Sequence, residues 1–475
     1  MSAKHAEIIK LEYKYSGSGL TRKCRRQCDG SRPSCSQCRH TGRICAGYPP
    51  DFEFVSAKVY GRQPIRSIRS TTKKSRMTRR TTNPENCLTR TLTPAIQDAA
   101  NLIIRSYVPE NEIPWLNNIR NTQPRICGGW VVTLPELLVV YNSDELLPAA
   151  VKTLALSIVS KQQHRRETSP TIRQFYGSTL RLLQQSLTQQ GSGYTAEHLA
   201  AMMCLTLTEL MLGTENDAWM VHIDGISAMV QHQGSAFFAK GIPHRLFTGF
   251  RPLLVFKAII SRSSSFIAEQ QWVSGPFRDI PATPMQNLLT EAVALPPILR
   301  RLDLLLSLQT ANSDSEKEAL EITLHEILQR LRMWEEEYQG TRIGPLYWAL
   351  EDSTSQCKDV RLWFDDVTVA NALTHYWAFT AICLLHIQKL QLLSQLYILD
   401  DTARLGYLRP LIKVCQSIPF LLQESLSLYG PSSVAFLLST VVDTFRWNEE
   451  HGGTEVIVHE GVVDYAKSQG FYFKS

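Results

Sequence analysis

No run of about 18 consecutive apolar residues occurs in this chain of 475 residues, so no segment reads as a membrane-spanning helix. The opening residues, Met1-Ser-Ala-Lys-His-Ala-Glu-Ile-Ile-Lys, lack the unbroken apolar core of a secretory leader. Cysteine is too dispersed for a disulfide scaffold. Of eleven, Cys87, Cys127, Cys204, Cys357, Cys383 and Cys415 stand isolated, several within apolar helical stretches where a buried thiol acts as a small hydrophobe. A reducing compartment is therefore expected. Catalytic signatures are also missing, with no Gly-x-Ser-x-Gly elbow and no His-Glu-x-x-His pair. Gly17-Ser-Gly19-Leu-Thr-Arg-Lys23 has a superficial likeness to a phosphate loop, but its spacing is wrong and no apolar strand precedes it. Asp and Glu fall mostly on polar helix faces, so an enzyme is not expected.

The remaining cysteines are concentrated near the start. From Cys28 to Cys45 four thiols, Cys28, Cys35, Cys38 and Cys45, are separated by six, two and six residues among basic side chains. A C-x2-C pair lets two sulfurs reach one tetrahedral ion at about 2.3 Å, and the six-residue arms bring a third and a fourth thiolate to the same small volume. Burial cannot order this segment, because Ile44 is the only large aliphatic side chain between Cys24 and Cys45. Metal ligation must therefore offset the conformational entropy, and in a reducing compartment zinc is favoured over disulfides.

These residues resemble the distal two thirds of the fungal Zn(2)-C6 binuclear cluster, whose pattern is C-x2-C-x6-C-x6-C-x2-C-x6-C. Cys28, Cys35, Cys38 and Cys45 match its third to sixth cysteines, and the Cys-Asp-Gly-x-Arg-Pro-Ser-Cys wording and the Cys-x-Gly-Tyr exit at Cys45 to Tyr48 agree too. The first two cysteines of the pattern fall on Ser18 and Thr21. The resemblance implies two zincs sharing six thiolates, with the first and fourth bridging both ions. Transferred here, one zinc keeps Cys35, Cys38 and Cys45, and the other keeps Cys28 and Cys35 alone. Cys24 stands where the family usually carries a basic residue. Two readings of it stay open, a substitute fourth ligand in a single-zinc site or no ligand at all. His40, beside Arg39 in a polar loop, reads as solvated before it reads as a ligand. Residues 16–28 keep the family's length and basic character but not its wording, as a misread exon boundary would also produce.

Charge points to the same partner. Up to Arg80 there are 19 Lys and Arg against 5 Asp and Glu, a net of +14, whereas the remainder holds 31 against 39, a net of −8. A basic head on a mildly acidic body is the footprint of a nucleic-acid binder, since each cation set on a phosphate releases condensed counterions. The resemblance places Arg22, Lys23, Arg25 and Arg26 on the helix that the family lays in the major groove, reading CGG-like half-sites. Arg25 holds the family's prominent base-contacting position, usually Lys, and can donate two bonds to guanine. Ser31, Arg32, Arg39 and Arg43 suit phosphate contact, although Arg32-Pro33 reads equally well as a turn between the two arms.

Residues 49–89 are polar and irregular, with Pro49-Pro50, Gly61 and Pro64, and read as a flexible, disordered basic linker. Within it Thr72-Lys73-Lys74-Ser75-Arg76-Met77-Thr78-Arg79-Arg80 packs five cations into nine residues, which suits a nuclear-import signal, further backbone contact or a solvated linker. No heptad pattern follows the cluster, so half-site pairing, and with it a homodimer, stays open.

Beyond residue 90 apolar residues recur at helical spacing in Ala95 to Val108, Leu134 to Ile158, Ile172 to Leu187, Ala196 to Leu212, Ala218 to Gln233, Asn287 to Leu308, Glu316 to Tyr338, Val367 to Leu396 and Leu408 to Leu428. In Glu316 to Tyr338 the expected buried face holds Leu320, Ile322, Leu324, Ile327, Leu328, Leu331 and Trp334. Strand-like alternation is scarce, so residues 90–470 are expected to form a large all-α body, in one array or two packed halves. Trp219-Met-Val-His222-Ile-Asp-Gly225 leading to Gly234 is similar to a helix that recurs in the fungal-specific transcription factor domain. Trp219, His222, Ile226, Met229 and Val230 should share its face, with Gly225 allowing close approach, Gly234 ending the helix, and His222 a packed core residue.

The whole chain thus reads as mainly α, with a small N-terminal zinc-cluster module at 18–48, a basic linker at 49–89 and an all-α regulatory domain at 90–470. Candidate zinc ligands are Cys24, Cys28, Cys35, Cys38 and Cys45. The expected activity is nuclear, zinc-dependent, sequence-specific regulation of RNA polymerase II transcription, with double-stranded DNA and the transcription machinery as partners.

Overall fold

The computed structural model describes residues 10–11, 96–113, 124–140, 145–162, 170–189, 194–212, 218–308, 314–352, 359–393, 401–453, 462, 465 and 473–474. The expected zinc module at 18–48 and linker at 49–89 lie outside them. Contacts divide the chain into two units, Glu12–Cys87 and a second joining Met1–Leu11 with Leu88–Ser475, and every described residue belongs to the second.

The first strand, β1 (Lys10–Leu11), pairs antiparallel with the last two described residues, Phe473–Lys474. In α1 (Ile96–Tyr107) Ala99, Ala100, Ile103, Ser106 and Tyr107 are buried, one face at spacings of three and four. A 3-10 turn, Cys127–Thr133, runs into α2 (Leu134–Val140). Next come α3 (Leu146–Gln162), α4 (Pro170–Gln189), α5 (Ala196–Leu212) and α6 (Ala218–Gln233). Every residue of α5 from Ala196 to Thr206 is buried, because α3, α6 and α7 (Gly241–Ile260) surround it. The chain continues through a short α8 (Gln270–Ser274), α9 (Pro284–Ala292), α10 (Leu295–Leu308) and α11 (Asp314–Gly340).

A hairpin of β2 (Tyr347–Asp352) and β3 (Asp359–Phe364) follows, antiparallel, with Tyr347 opposite Phe364. It corrects the all-α expectation. Leu362 and Phe364 alternate inward and are buried, and the neighbouring Trp363 ring sits 5.2 Å from that of Phe420 in α13 (Asp401–Leu421). Between hairpin and α13 runs α12 (Val367–Leu393), packed against α9, α10, α11, α13 and α14 (Tyr429–Glu450). By length and composition α12 passes as a membrane span, but 83% of that window is buried within the protein, as in a core helix.

Proline explains most differences from the expected elements. Leu134 to Ile158 divides into α2 and α3, and Asn287 to Leu308 into α9 and α10. Pro148, Pro296 and Pro297 occupy first turns, where the missing N–H has no intrahelical partner to lose. The helices α7 and α14 are not among the expected segments; Pro243 and Pro252 lie in one and Gly430-Pro431 in the other, residue types that interrupt a helical pattern. In α11 Leu320, Leu324, Ile327, Leu328, Leu331 and Trp334 are buried, but Ile322 is 53% exposed. Two residues beyond Leu320, at about 100° per residue, Ile322 is turned to the opposite side. The buried apolar residues form one continuous core from Ala99 to Val462.

Candidate functional site

The candidate ligands Cys24, Cys28, Cys35, Cys38 and Cys45 lie outside the described residues, as do Ser18, Thr21, His40 and the basic Arg22, Lys23, Arg25, Arg26, Arg32, Arg39 and Arg43. Among the described residues no group of three His, Cys, Asp or Glu side chains is placed to hold a metal ion. The described cysteines are free thiols, with Cys127 half-buried and Cys204, Cys383 and Cys415 buried. Burial pushes the Cys127, Cys383 and Cys415 thiols up to about 12, so at neutral pH they stay protonated and act as small hydrophobes.

In α6, Ile226, Met229 and Val230 are buried while Trp219 and His222 are half-buried at the same face. The Nε2 atom of His222 lies 2.7 Å from the Tyr176 hydroxyl of α4. Burial lowers the pKa of His222, opposed by the charge of Glu209 in α5, and burial with Glu209 raises that of Tyr176. A Cβ on Gly225 would meet the Met202 methyl at 2.5 Å, which shows how closely α6 approaches α5. Gly234, at φ +76°, ends the helix, its N–H directed back to the Val230 carbonyl at 3.2 Å. His222 is thus a packed, hydrogen-bonded residue that joins α4 to α6.

A second polar arrangement was not anticipated. Pro252 sits inside α7, so the Thr248 carbonyl loses its i+4 helical donor. Gln286 of α9 supplies one in its place, donating from Nε2 to that carbonyl at 2.9 Å. Arg251, fully buried, holds Gln286 in turn, donating to its backbone carbonyl at 2.7 Å, to its Oε1 at 3.1 Å and to the Thr290 hydroxyl at 2.9 Å. Its guanidinium lies 5.2 Å from the centre of the Phe277 ring. Burial lowers the Arg251 pKa to about 10, which leaves it charged at neutral pH. The sequence signal was a cation and a proline side by side in an otherwise apolar stretch. Together they tie α7 to α9 without a carboxylate.

Residues 152–342 match the family model of the fungal specific transcription factor domain. The matched span runs from the first half of α3 to just past α11 and includes α6 with Trp219, His222 and Gly225, and the Arg251–Gln286 arrangement. It supports a fungal transcription factor, and with it a transcription regulator. The core of the matched segment continues into α1 and α12 to α14, which lie outside the matched residues. No curated protein and no solved structure matched the chain.

Proposed function

We propose that the chain is a nuclear, zinc-dependent, sequence-specific regulator of RNA polymerase II transcription that binds CGG-like half-sites through residues 18–48. The match at 152–342 carries the reading, because it places a transcription factor domain downstream of the Cys28 to Cys45 run and the basic head. Zinc would hold Cys28, Cys35, Cys38 and Cys45, with Cys24 as the substitute ligand. Arg25 reads bases from a helix shared with Arg22, Lys23 and Arg26, while Arg32, Arg39 and Arg43 meet phosphates. The helical body relays regulation to the transcription machinery.

The test is zinc content of the purified full-length chain together with salt-titrated binding to CGG-containing and scrambled duplexes. One or two zincs per chain with a preference for CGG are expected. Absence of zinc, or salt-sensitive binding indifferent to sequence, overturns the reading. Ser18 and Thr21 favour a second one, a co-regulator whose degenerate cluster leaves DNA unbound and which acts through protein contacts of the body. Under that reading Ser18→Cys with Thr21→Cys raises zinc to two and creates CGG-dependent binding absent from the native chain.

A further inference from the structure

Where the Cys127–Thr133 turn, α5, α7, α12 and the start of α14 converge, the core holds a cavity of about 110 Å³. Its walls are mainly apolar, formed by Trp130, Met203, Leu207, Phe256 and Met285, and among the described residues no Asp, Glu, Lys or Arg lines it. Three lining residues nevertheless carry a buried polar atom with no hydrogen-bond partner among the described residues, namely Asn371 Oδ1, His375 Nε2 and the Tyr429 hydroxyl. Buried polar groups are almost always paired, and each unpaired one is destabilising, so three beside one cavity are a departure that calls for a guest.

The polarity of that guest follows from His375. Its Nδ1 lies 2.7 Å from the Asn371 carbonyl, which can only accept, so Nδ1 carries the proton and Nε2 of the neutral ring is an acceptor. Stacking fixes the ring, with Phe256 at 5.0 Å and Phe436 at 6.0 Å, planes within 15° and 7°. Asn371 Oδ1 is a second acceptor, and the Tyr429 hydroxyl can donate or accept. An apolar cavity of about 150 Å³ holds benzene, so this smaller one takes a single ring only as the flexible Met203 and Met285 side chains give way, and nothing larger.

We propose that the cavity is a binding site for a compact neutral molecule, about one ring in size, that presents at least one hydrogen-bond donor to Asn371 and His375 while its apolar body fills the space between Trp130, Leu207 and Phe256. This gives the helical body a small-molecule input, and its test involves no DNA.

Phenol is the probe, titrated calorimetrically into the full-length chain, with benzene and benzoate as comparisons. The expected result is saturable binding of one phenol per chain, at least fivefold weaker binding of benzene, and none of benzoate. Leu207→Trp, which fills the space, should abolish phenol binding. His375→Phe keeps the ring stack but removes the acceptor, and should weaken phenol about five- to tenfold while leaving benzene unchanged. Near-UV circular dichroism establishes that each variant is folded. If Leu207→Trp does not fold, the phenol–benzene comparison and His375→Phe decide alone. Non-saturable phenol, phenol and benzene binding equally, or a folded Leu207→Trp binding like the native chain overturns the proposal and leaves water to serve the three polar atoms.

Discussion

Gln286 and Pro252 form a compensated pair across two helices, and the compensation can be measured. Removing the amide by Gln286→Leu leaves the Thr248 carbonyl without a donor and takes one acceptor from Arg251, so a loss of about 2 kcal/mol is expected in urea unfolding. In a Pro252→Ala background residue 252 regains an N–H for Thr248, and the same substitution should cost markedly less. Equal losses in both backgrounds would mean that Gln286 acts on Arg251 alone. His375 sets a pH dependence. Burial lowers its pKa from 6.5 to about 4, so between those values the unfolded chain binds a proton that the folded one refuses. Stability is therefore fully present above pH 6.5 and falls as pH drops toward 4, by about 3 kcal/mol for this residue. His386, lowered by burial and by the nearby Lys389 and Arg262, pulls in the same direction. Urea midpoints at pH 7, 6 and 5 should fall in that order, with a shallower decline in His375→Phe. A flat profile would show that the ring takes up its proton freely in the folded chain.

Helix contacts separate two glycines, Gly225 and Gly430, by what a side chain would meet at each. A Cβ on Gly225 meets only the flexible tip of Met202, which can move, and Ala gains about 1 kcal/mol of helix propensity over Gly, so Gly225→Ala should lie within about 1 kcal/mol of the native chain. Gly430, at the start of α14, would drive its Cβ into the backbone carbonyl of Leu421 at the end of α13, which cannot give. Gly430→Ala should cost about 3 kcal/mol or more, read as a fall in the melting midpoint, and a near-neutral result would mean that the two helix ends separate easily. The same distinction marks what was legible in the sequence. Helices such as α1 and α11 repeat apolar residues on one face and could be read from local spacing, whereas α7 was hidden by Pro252, whose defect is repaired from Gln286, a residue distant in the chain. The hairpin escaped notice because half-exposed Trp348 and Leu350 blur its alternation. The cysteine run was legible since ligand spacing is local. The cavity was not, because Asn371 and Tyr429 become neighbours only after α12 and α14 pack.

A single core decides how the molecule can be cut. The residues that match the fungal specific transcription factor domain, 152–342, end after α11, but the buried face of that helix is covered by α12. There the Trp334 and Tyr376 rings stand 5.5 Å apart, Tyr376 donates to Glu335 at 2.7 Å, and Gln391 donates to Glu321 at 2.7 Å. At the other end α1 covers α3 and the Cys127–Thr133 turn, which itself packs on α7. Cutting at 152 and 342 would bare Leu324, Ile327 and Leu331 of α11 together with much of α3 and α7, a contiguous apolar surface that water does not tolerate on a folded monomer. The hydrophobic term is shared between matched and unmatched halves, so neither has a core of its own. Residues 88–475 expressed alone should therefore unfold in one cooperative transition with native near-UV circular dichroism, whereas 152–342 should aggregate or bind a hydrophobic dye without a cooperative transition. A sharp transition in the isolated 152–342 segment would show that the core is divisible after all, and that α12 to α14 are an independent layer laid on a complete domain.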